Sequence, residues 1–451
     1  MNNFQFRPHQ EPSVKKGIEF FTSKKPQKPT IHVQPTGAGK SYDIAGIAQG
    51  VSEPILILQP SIELLYQNVE KFEALGGVCT IYSAGAGQKE ISHVTYGTLG
   101  TVINSLPKFI AAGIKNVIVD ECHLYPSDAD SMFGKLMKGL GKDVRLLGLT
   151  ASPFRLVSNM MGSRLMMLPR CRPSLFKEFG HITQIKDLAD KYWTPVEYRV
   201  KQIDGSVLRM NSNGSDYSAQ SLEAFSQNTI QSVYEALMSE EFKHVLCFVS
   251  SVSICKKLCR IVPDSAYVCA DTPPAERSQI VRDFKSGKLK RLLNVGVFRV
   301  GFDYPELDHV IDAAPTMSLA SAYQKFGRLV RTFEGKKIGV FTDLAGMVDR
   351  FGKIEELTIE KKAGSQFHEV YSNGKQLTGV ILAGSGYTMP TEADLSGHVF
   401  NDMEIDFGKN KGKKISECEG WYLSWVRDNL SHRKDLVKNI NYYMQQQALK
   451  K

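Results

Sequence analysis

No apolar run in this sequence approaches the roughly 18 residues that a membrane-spanning helix requires. Runs such as ILIL from Ile55 and NVIVD ending at Asp120 are strand-sized, so a membrane protein is not expected. The opening residues MNNFQFRPHQ lack the apolar core of a signal peptide. The eight cysteines form no Cys-x-x-Cys pair, and Cys255 with Cys259 makes only a helical i, i+4 pair without evident co-ligands. A disulfide framework and a structural zinc site are both disfavoured, and the expected setting is the cytoplasm with reduced, mostly buried thiols. Neither sign of charge is scarce. Lys and Arg number 56 against 47 Asp and Glu, a net charge of +9 that permits a polyanionic partner without demanding one. With 42% hydrophobic and 23% charged residues over 451 positions, wholesale disorder is excluded and two or three domains are expected.

From Thr30 onward, short apolar runs alternate with amphipathic ones. TIHVQP, PILILQP, VCTIYSA, HVTYGTL, NVIVDEC and RLLGLTA read as strands, and SYDIAGIAQG and SIELLYQNVEKFEAL as helices. A second series begins near His244 with HVLCFVSS, AYVCADT, RLLNVGV, HVIDAAP and KIGVFTDLA, again separated by helical stretches. Continuous apolar strands alternating with helices indicate parallel sheets covered on both faces. The expected architecture is α/β, with two tandem P-loop domains of parallel-sheet type and a small C-terminal α+β module. The boundaries are drawn at 1–158, an irregular connector at 159–217, a second domain at 218–346, a β-hairpin and linker at 347–399, and the module at 400–451. Asn373-Gly374 between two β-prone runs is the hairpin signal.

QPTGAGKS, Gln34–Ser41, follows a strand and opens a helix, the context of a phosphate-binding loop. Gly37 and Gly39 let backbone N–H groups approach phosphate oxygens, with Pro35, Thr36 and Ala38 completing the loop. Lys40 would reach the outer phosphates and Ser41 would hold magnesium. Gln34 stands where the strict pattern has glycine. In VIVDECHLYP, Asp120 ends a buried strand at the sheet edge where ligands gather. There it can hold magnesium, and Glu121 can deprotonate the attacking water. Four neighbouring side chains on a strand point to alternate faces and converge poorly on one ion, so Asp-Glu-Cys-His is not read as a zinc site.

The order of motifs resembles the superfamily 2 helicases with a DEAH/DExH box, here DECH. FRPHQ resembles the adenine-recognition pair, Arg7 and Gln10. ILQPSIELLYQN and TYGTL resemble nucleic-acid-contacting motifs. LTASPFR, NVGVFRVGFDYP and QKFGRLVR resemble the third, fifth and sixth motifs. RLLGLTASPFR, ADTPPAERSQIVRDFKSG and NVGVFRVGFDYP are most similar to RadD-type helicases, over about Phe4 to Gly346. Gln34, Lys325 and the lack of a cysteine-rich tail depart from that pattern. The resemblance implies two RecA-like domains that bind ATP and Mg2+. It places Gln324, Arg328 and Arg331 at the γ-phosphate, and Gly301 and Asp303 near the nucleotide. It makes His123, Thr150, Ala151 and Ser152 the link between hydrolysis and domain movement. Backbone contacts to nucleic acid fall to Ser61, Thr98 and Ser250, whose hydroxyls equally suit helix N-caps.

The tail resembles a small F-G-K-x-K-G-K module, with Lys409, Lys411, Lys413 and Lys414 ahead of Trp421, Tyr422 and Trp425. The lysines could grip phosphates while the tryptophans form the module's own core. The implied activity is an ATP-dependent helicase or translocase acting as a monomer on single-stranded or branched DNA in repair, recombination or replication. Single-strand-binding or recombination proteins are its candidate partners. An RNA helicase, an ATP-gated clamp that does not separate strands, and the motor part of a restriction-like enzyme are the alternatives; no nuclease carboxylate–lysine cluster is evident.

Overall fold

The computed structural model describes residues 5–126, 128–159, 162–201, 203–211, 216–239, 241–298, 302–362, 364–380 and 400–419, with isolated positions between 422 and 444. Two parallel sheets organise most of it. The first runs in the order 178–182, 30–33, 145–150, 116–120, 55–59, 94–98, 80–83 and 88–89, with only the last strand antiparallel. The second runs 196–200, 339–343, 309–313, 245–249, 291–294 and 265–268, parallel throughout. The central strands Ile55–Gln59, Asn116–Asp120 and Val245–Val249 are buried along their whole length. This is why they read as unbroken apolar runs: helices cover both faces, so neither side of the strand meets water. Each sheet accordingly has a separate apolar cluster on each face. The two-domain α/β architecture expected from the sequence is therefore present.

Helix starts are set locally. Ser61, Ser218, Ser251 and Ser318 each accept a backbone N–H from the first turn of the helix that follows, through the side-chain oxygen. Such a cap is worth about 1 kcal/mol.

The segment expected to be an irregular connector is largely ordered into the two domains. Glu178–Ile182 is an edge strand of the first sheet, beside Thr30–Val33. Val196–Val200 is an edge strand of the second, beside Gly339–Asp343. The first sheet thus extends past the boundary drawn at 158. Ahead of both in the chain, Phe154–Asn159 and Gly162–Met167 pair as a separate antiparallel ladder.

After the second sheet the chain returns to the first domain. Leu357–Lys361, His368–Ser372 and Lys375–Gln376 form a three-stranded sheet, turned at Asn373 and Gly374, both with positive φ. Gln184 pairs with the backbone of Ile359 in both directions, at 2.7 and 3.0 Å. Arg170 contacts the buried carboxylate of Glu369. The small C-terminal module has its own core of Ile405, Ile415, Tyr422, Leu423, Val426 and Ile440. Among the described residues no helix is long and apolar enough to cross a membrane.

Candidate active site

The phosphate loop begins where the strand Thr30–Val33 ends and turns into the helix Lys40–Gln49. Gly37 and Gly39 have φ of 78° and 85°, conformations that side chains disfavour. At Gly39 a Cβ would also lie 2.8 Å from Gln10 Nε2. Gln34 is fully buried, and its Nε2 donates to Asp43 Oδ2 at 2.5 Å. Gln10 Nε2 donates to Asp43 Oδ1 and to Gly39 O, both at 3.0 Å. A glycine at position 34 would leave Asp43 short of one donor, which accounts for the departure from the usual loop. Burial pushes the Asp43 carboxyl up to about 7 despite these donors.

Asp120 and Glu121 stand at the end of the strand Asn116–Asp120. Lys40 Nζ lies 2.9 Å from Asp120 Oδ1 and contacts Glu121 Oε1. Asp120 Oδ2 accepts from Asn68 Nδ2 at 2.9 Å. Glu121 occupies the left-handed region at φ 46°, ψ 50°, a strained position for a glutamate. Its second oxygen lies 3.3 Å from His123 Nδ1 and 3.4 Å from Thr150 Oγ1. His123 Nδ1 is 2.8 Å from Thr150 Oγ1 and 3.3 Å from Ser152 Oγ. Arg155 holds this turn by donating to the carbonyls of His123 and Tyr125 at 2.7 and 2.9 Å. Burial pushes the Lys40 ammonium down, but Asp120 and Glu121 outweigh it and hold it above the usual lysine range. For Glu121, burial raises the carboxyl, while Lys40 and then His123 reverse that and hold it well below the usual carboxylate range. The proposed base is therefore ionised.

The second domain supplies the opposite wall. Gln324, Arg328, Arg331 and Asp303 line the same cleft as the phosphate loop, Asp120 and Glu121, and its volume is about 290 Å³. Arg328 donates to Phe302 O at 2.8 Å and to Gln324 Oε1 at 3.3 Å. Arg331 contacts Asp303. Burial lowers both guanidinium groups to about 10, with Glu121 partly opposing this at Arg328. Gln324 Nε2 is buried and has no hydrogen-bond partner among the described residues. Five cationic side chains (Arg7, Lys40, Lys71, Arg328 and Arg331) face three carboxylates, Asp120, Glu121 and Asp303, across the cleft. A buried donor without a partner and an excess of positive charge both suit a bound polyphosphate. The oxygen donors Ser41 and Asp120 suit magnesium.

The remaining residues named from the sequence are scattered more widely. Arg7 lines the cleft, but Gln10 is 2% exposed and its amide is committed to Gly39 and Asp43. Gly301 lies outside the described residues, as do Trp421 and Trp425, and nothing is described of the Lys409 side chain. Lys411, Lys413 and Lys414 are exposed on one turn. Ser61 caps the helix Ile62–Ala74 by accepting from Leu64 N. Thr98 bonds Ser83 Oγ at 3.0 Å, and Ser250 lines a separate cavity at the carboxyl edge of the second sheet. Sequence reasoning missed Asn68, Lys71, Tyr192, Trp193 and Tyr323, which reach the cleft or the phosphate loop from distant parts of the chain.

Two α/β domains with residues of both lining one cleft have the architecture of a RecA-like pair. Residues 3–155 match the family described as Type III restriction enzyme, res subunit, and residues 228–333 match the helicase conserved C-terminal domain. Together these two RecA-like helicase domains indicate a superfamily 2 helicase. A 51.5 kDa protein of Lactococcus phage (isolate 7-9) is 27% identical over 327 residues, covering 68% of this chain and 64% of the relative. The chain thus spans less than two thirds of that relative's length. Among solved structures, the ATP-dependent Type ISP restriction-modification enzyme LlaBIII bound to DNA has a TM-score of 0.54 at 16% identity. That likeness covers 75% of this chain and 27% of the other. S. cerevisiae Dbp5 bound to RNA and ADP BeF3 has a TM-score of 0.50 at 15% identity, covering 76% and 86%. These likenesses show the fold.

Proposed function

We propose that this chain is an ATP-dependent nucleic-acid motor, a DExH-type helicase or translocase, working on DNA. The observation that carries the reading is the single cleft in which Lys40, Asp120 and Glu121 face Gln324, Arg328 and Arg331 from another domain. Lys40 exchanges its carboxylate partners for the outer phosphates. Ser41 and Asp120 would hold magnesium, which when bound neutralises phosphate charge. Glu121 takes the proton of the attacking water, and His123 with Thr150 and Ser152 fixes its carboxylate and passes its movement on. Arg328 and Arg331 stabilise charge on the γ-phosphate, a contribution on the order of a thousandfold or more. Arg7 shapes the base side, with Gln10 accepting from its backbone N–H at 2.9 Å, and Asp303 the ribose side. One nucleotide between two domains closes the cleft when bound and releases it after hydrolysis, so a strand lying over both domains is gripped alternately.

The match to a restriction-enzyme subunit and the DNA in the LlaBIII structure favour DNA over RNA. Ser61 and Thr98 lie at the carboxyl edge of adjacent strands in the first sheet, and Ser250 at that edge of the second. They mark a track across both domains. The exposed lysines Lys411, Lys413 and Lys414 add a phosphate grip. Deleting 400–451 is expected to weaken nucleic-acid binding and spare basal ATP hydrolysis; unchanged affinity across a salt series removes the module from the binding account. A second reading, the motor part of a restriction-like assembly, is favoured by the same family match. ATP hydrolysis measured side by side with single-stranded, duplex and forked DNA and with RNA tests the proposal. Stimulation by DNA supports it, stimulation by RNA alone transfers it to RNA, and stimulation by none sinks the motor reading.

A further inference from the structure

Three successive residues at the crossing between the domains touch three different parts of the cleft. Tyr192 ends the helix Lys186–Tyr192, and its ring lies 4.6 Å from Arg7 Cζ and 5.0 Å from the His9 ring. Trp193 Nε1 donates to the phosphate-loop carbonyl of Thr36 at 2.8 Å. Thr194 donates twice to the arginine loop: its N–H to Val330 O and its Oγ1 to Arg331 O, both at 2.9 Å. Two residues later the edge strand Val196–Val200 of the second sheet begins. The other face of the Thr36 peptide is held as well, because its N–H donates to Tyr323 Oη at 3.1 Å. Tyr323 lies on the helix Leu319–Phe326, which leads into Arg328 and Arg331.

We infer that Trp193 and Thr194 are positioning residues that fix Arg331 relative to the phosphate loop, with Tyr192 extending the same link to the base side. Neighbouring Cα atoms are about 3.8 Å apart. Two donors on adjacent residues therefore tie the loop and the arginine segment together over one peptide unit. Trp193 and Thr194 are 6% and 3% exposed, so these bonds are not shared with bulk water. The approach is close enough that a Cβ on Gly327 would come within 2.6 Å of Thr36 Cγ2. A shift of the phosphate loop on nucleotide binding reaches Arg331 through this link by way of two adjacent residues. The arginine segment has a separate brace. Lys336 Nζ donates to the carbonyls of Leu329 at 2.6 Å and of Arg331 at 3.0 Å. Loss of the Thr194 hydroxyl consequently changes register and leaves the segment folded.

The inference rests on the motor reading above, and the test separates the two. Trp193→Phe removes the indole donor together with part of the ring that packs near Phe326, Thr194→Val removes only the hydroxyl, and Thr194→Ser keeps the hydroxyl. Nucleic-acid-stimulated hydrolysis and melting are measured for each beside wild type and Lys40→Ala. The expected result is a kcat about tenfold or more lower in Trp193→Phe and Thr194→Val, the scale on which small misplacements act. The KM for ATP stays within about twofold, and Thr194→Ser hydrolyses close to wild type. Wild-type kcat in folded Trp193→Phe and Thr194→Val overturns the inference, as does an equal loss in Thr194→Ser and Thr194→Val. If Trp193→Phe melts early, the Thr194 pair decides alone. Wild-type hydrolysis no greater than that of Lys40→Ala defeats the motor reading itself.

Discussion

On the first domain's wall of the cleft, Lys40 sits between Asp120 and Glu121, and its pKa is held up. On the second domain's wall, Arg328 and Arg331 are buried as well, yet their pKa values are driven down to about 10. The difference lies in the partners. Two carboxylates hold the lysine, whereas Arg328 donates to the carbonyl of Phe302 and the amide oxygen of Gln324. Arg331 has the one part-exposed carboxylate of Asp303. Burial disfavours the charged form of each arginine. Carboxylate pairing outweighs burial at Lys40, and burial outweighs pairing at the two arginines. That asymmetry suits a site in which one domain holds the nucleotide and the other responds to its outer phosphate.

The sharpest way to break the comparison is to remove one residue from each wall. Lys40→Ala is expected to abolish both ATP binding and stimulated hydrolysis, and Glu121→Gln to abolish hydrolysis while sparing binding, as read by nucleotide titration and phosphate release. Normal turnover in either variant removes the site assignment. Arg331→Ala should leave ATP binding nearly intact and lower kcat on the order of a thousandfold. Weakened binding with unchanged kcat would make the two walls equivalent. Lys325 sharpens the contrast within the second domain. It occupies a motif position where arginine is common, but its Nζ bonds both oxygens of Asp312 at 2.6 and 2.8 Å and Ala314 O at 2.6 Å. This cation is structural and fully compensated. Lys325→Met leaves Asp312 buried without its partner and should cost about 3–5 kcal/mol in chemical denaturation. A stability loss near zero with lost hydrolysis would place Lys325 with the arginines instead.

The last expected effect is on stability alone and concerns Asp43, beneath the phosphate loop. An unfolded aspartate releases its proton near ~3.9, whereas burial holds the folded Asp43 proton to about 7. Between these values the folded state binds the extra proton. The stabilisation is complete below the lower value and is lost as pH rises through the upper one. Asp43→Asn should flatten that part of the melting profile. An unaltered slope between those pH values would show that Asp43 does not titrate there.

The same contrast explains what was legible in the sequence. The phosphate loop and the DECH turn each lie within one short segment, so local spacing exposes them, and the arginine pair is marked by the resemblance of QKFGRLVR to a helicase motif. Central strands such as Asn116–Asp120 are buried on both faces and appear as apolar runs. Glu178–Ile182 and Val196–Val200 are edge strands, only partly buried, with polar residues among the apolar ones. They carry no such run, and the connector therefore looked irregular. The contacts that join the walls are the least visible. Trp193 reaches Thr36 across 157 residues and Tyr323 reaches it across 287. No local pattern marks a residue whose partner is set only by the folded arrangement of two domains. Gln34 is an intermediate case: it stood out as a departure, and only its bond to Asp43 explains it.

The central claim is that one nucleotide draws the two walls together. It is tested most directly by energy transfer between dyes on the exposed positions Val78 in the first domain and Ile261 in the second, 87% and 60% exposed. The distance is followed as a non-hydrolysable ATP analogue and single-stranded DNA are added. The account predicts a shorter distance in the wild-type chain and none in Lys40→Ala. An unchanged distance in the wild type, or the same shortening in Lys40→Ala, would contradict it.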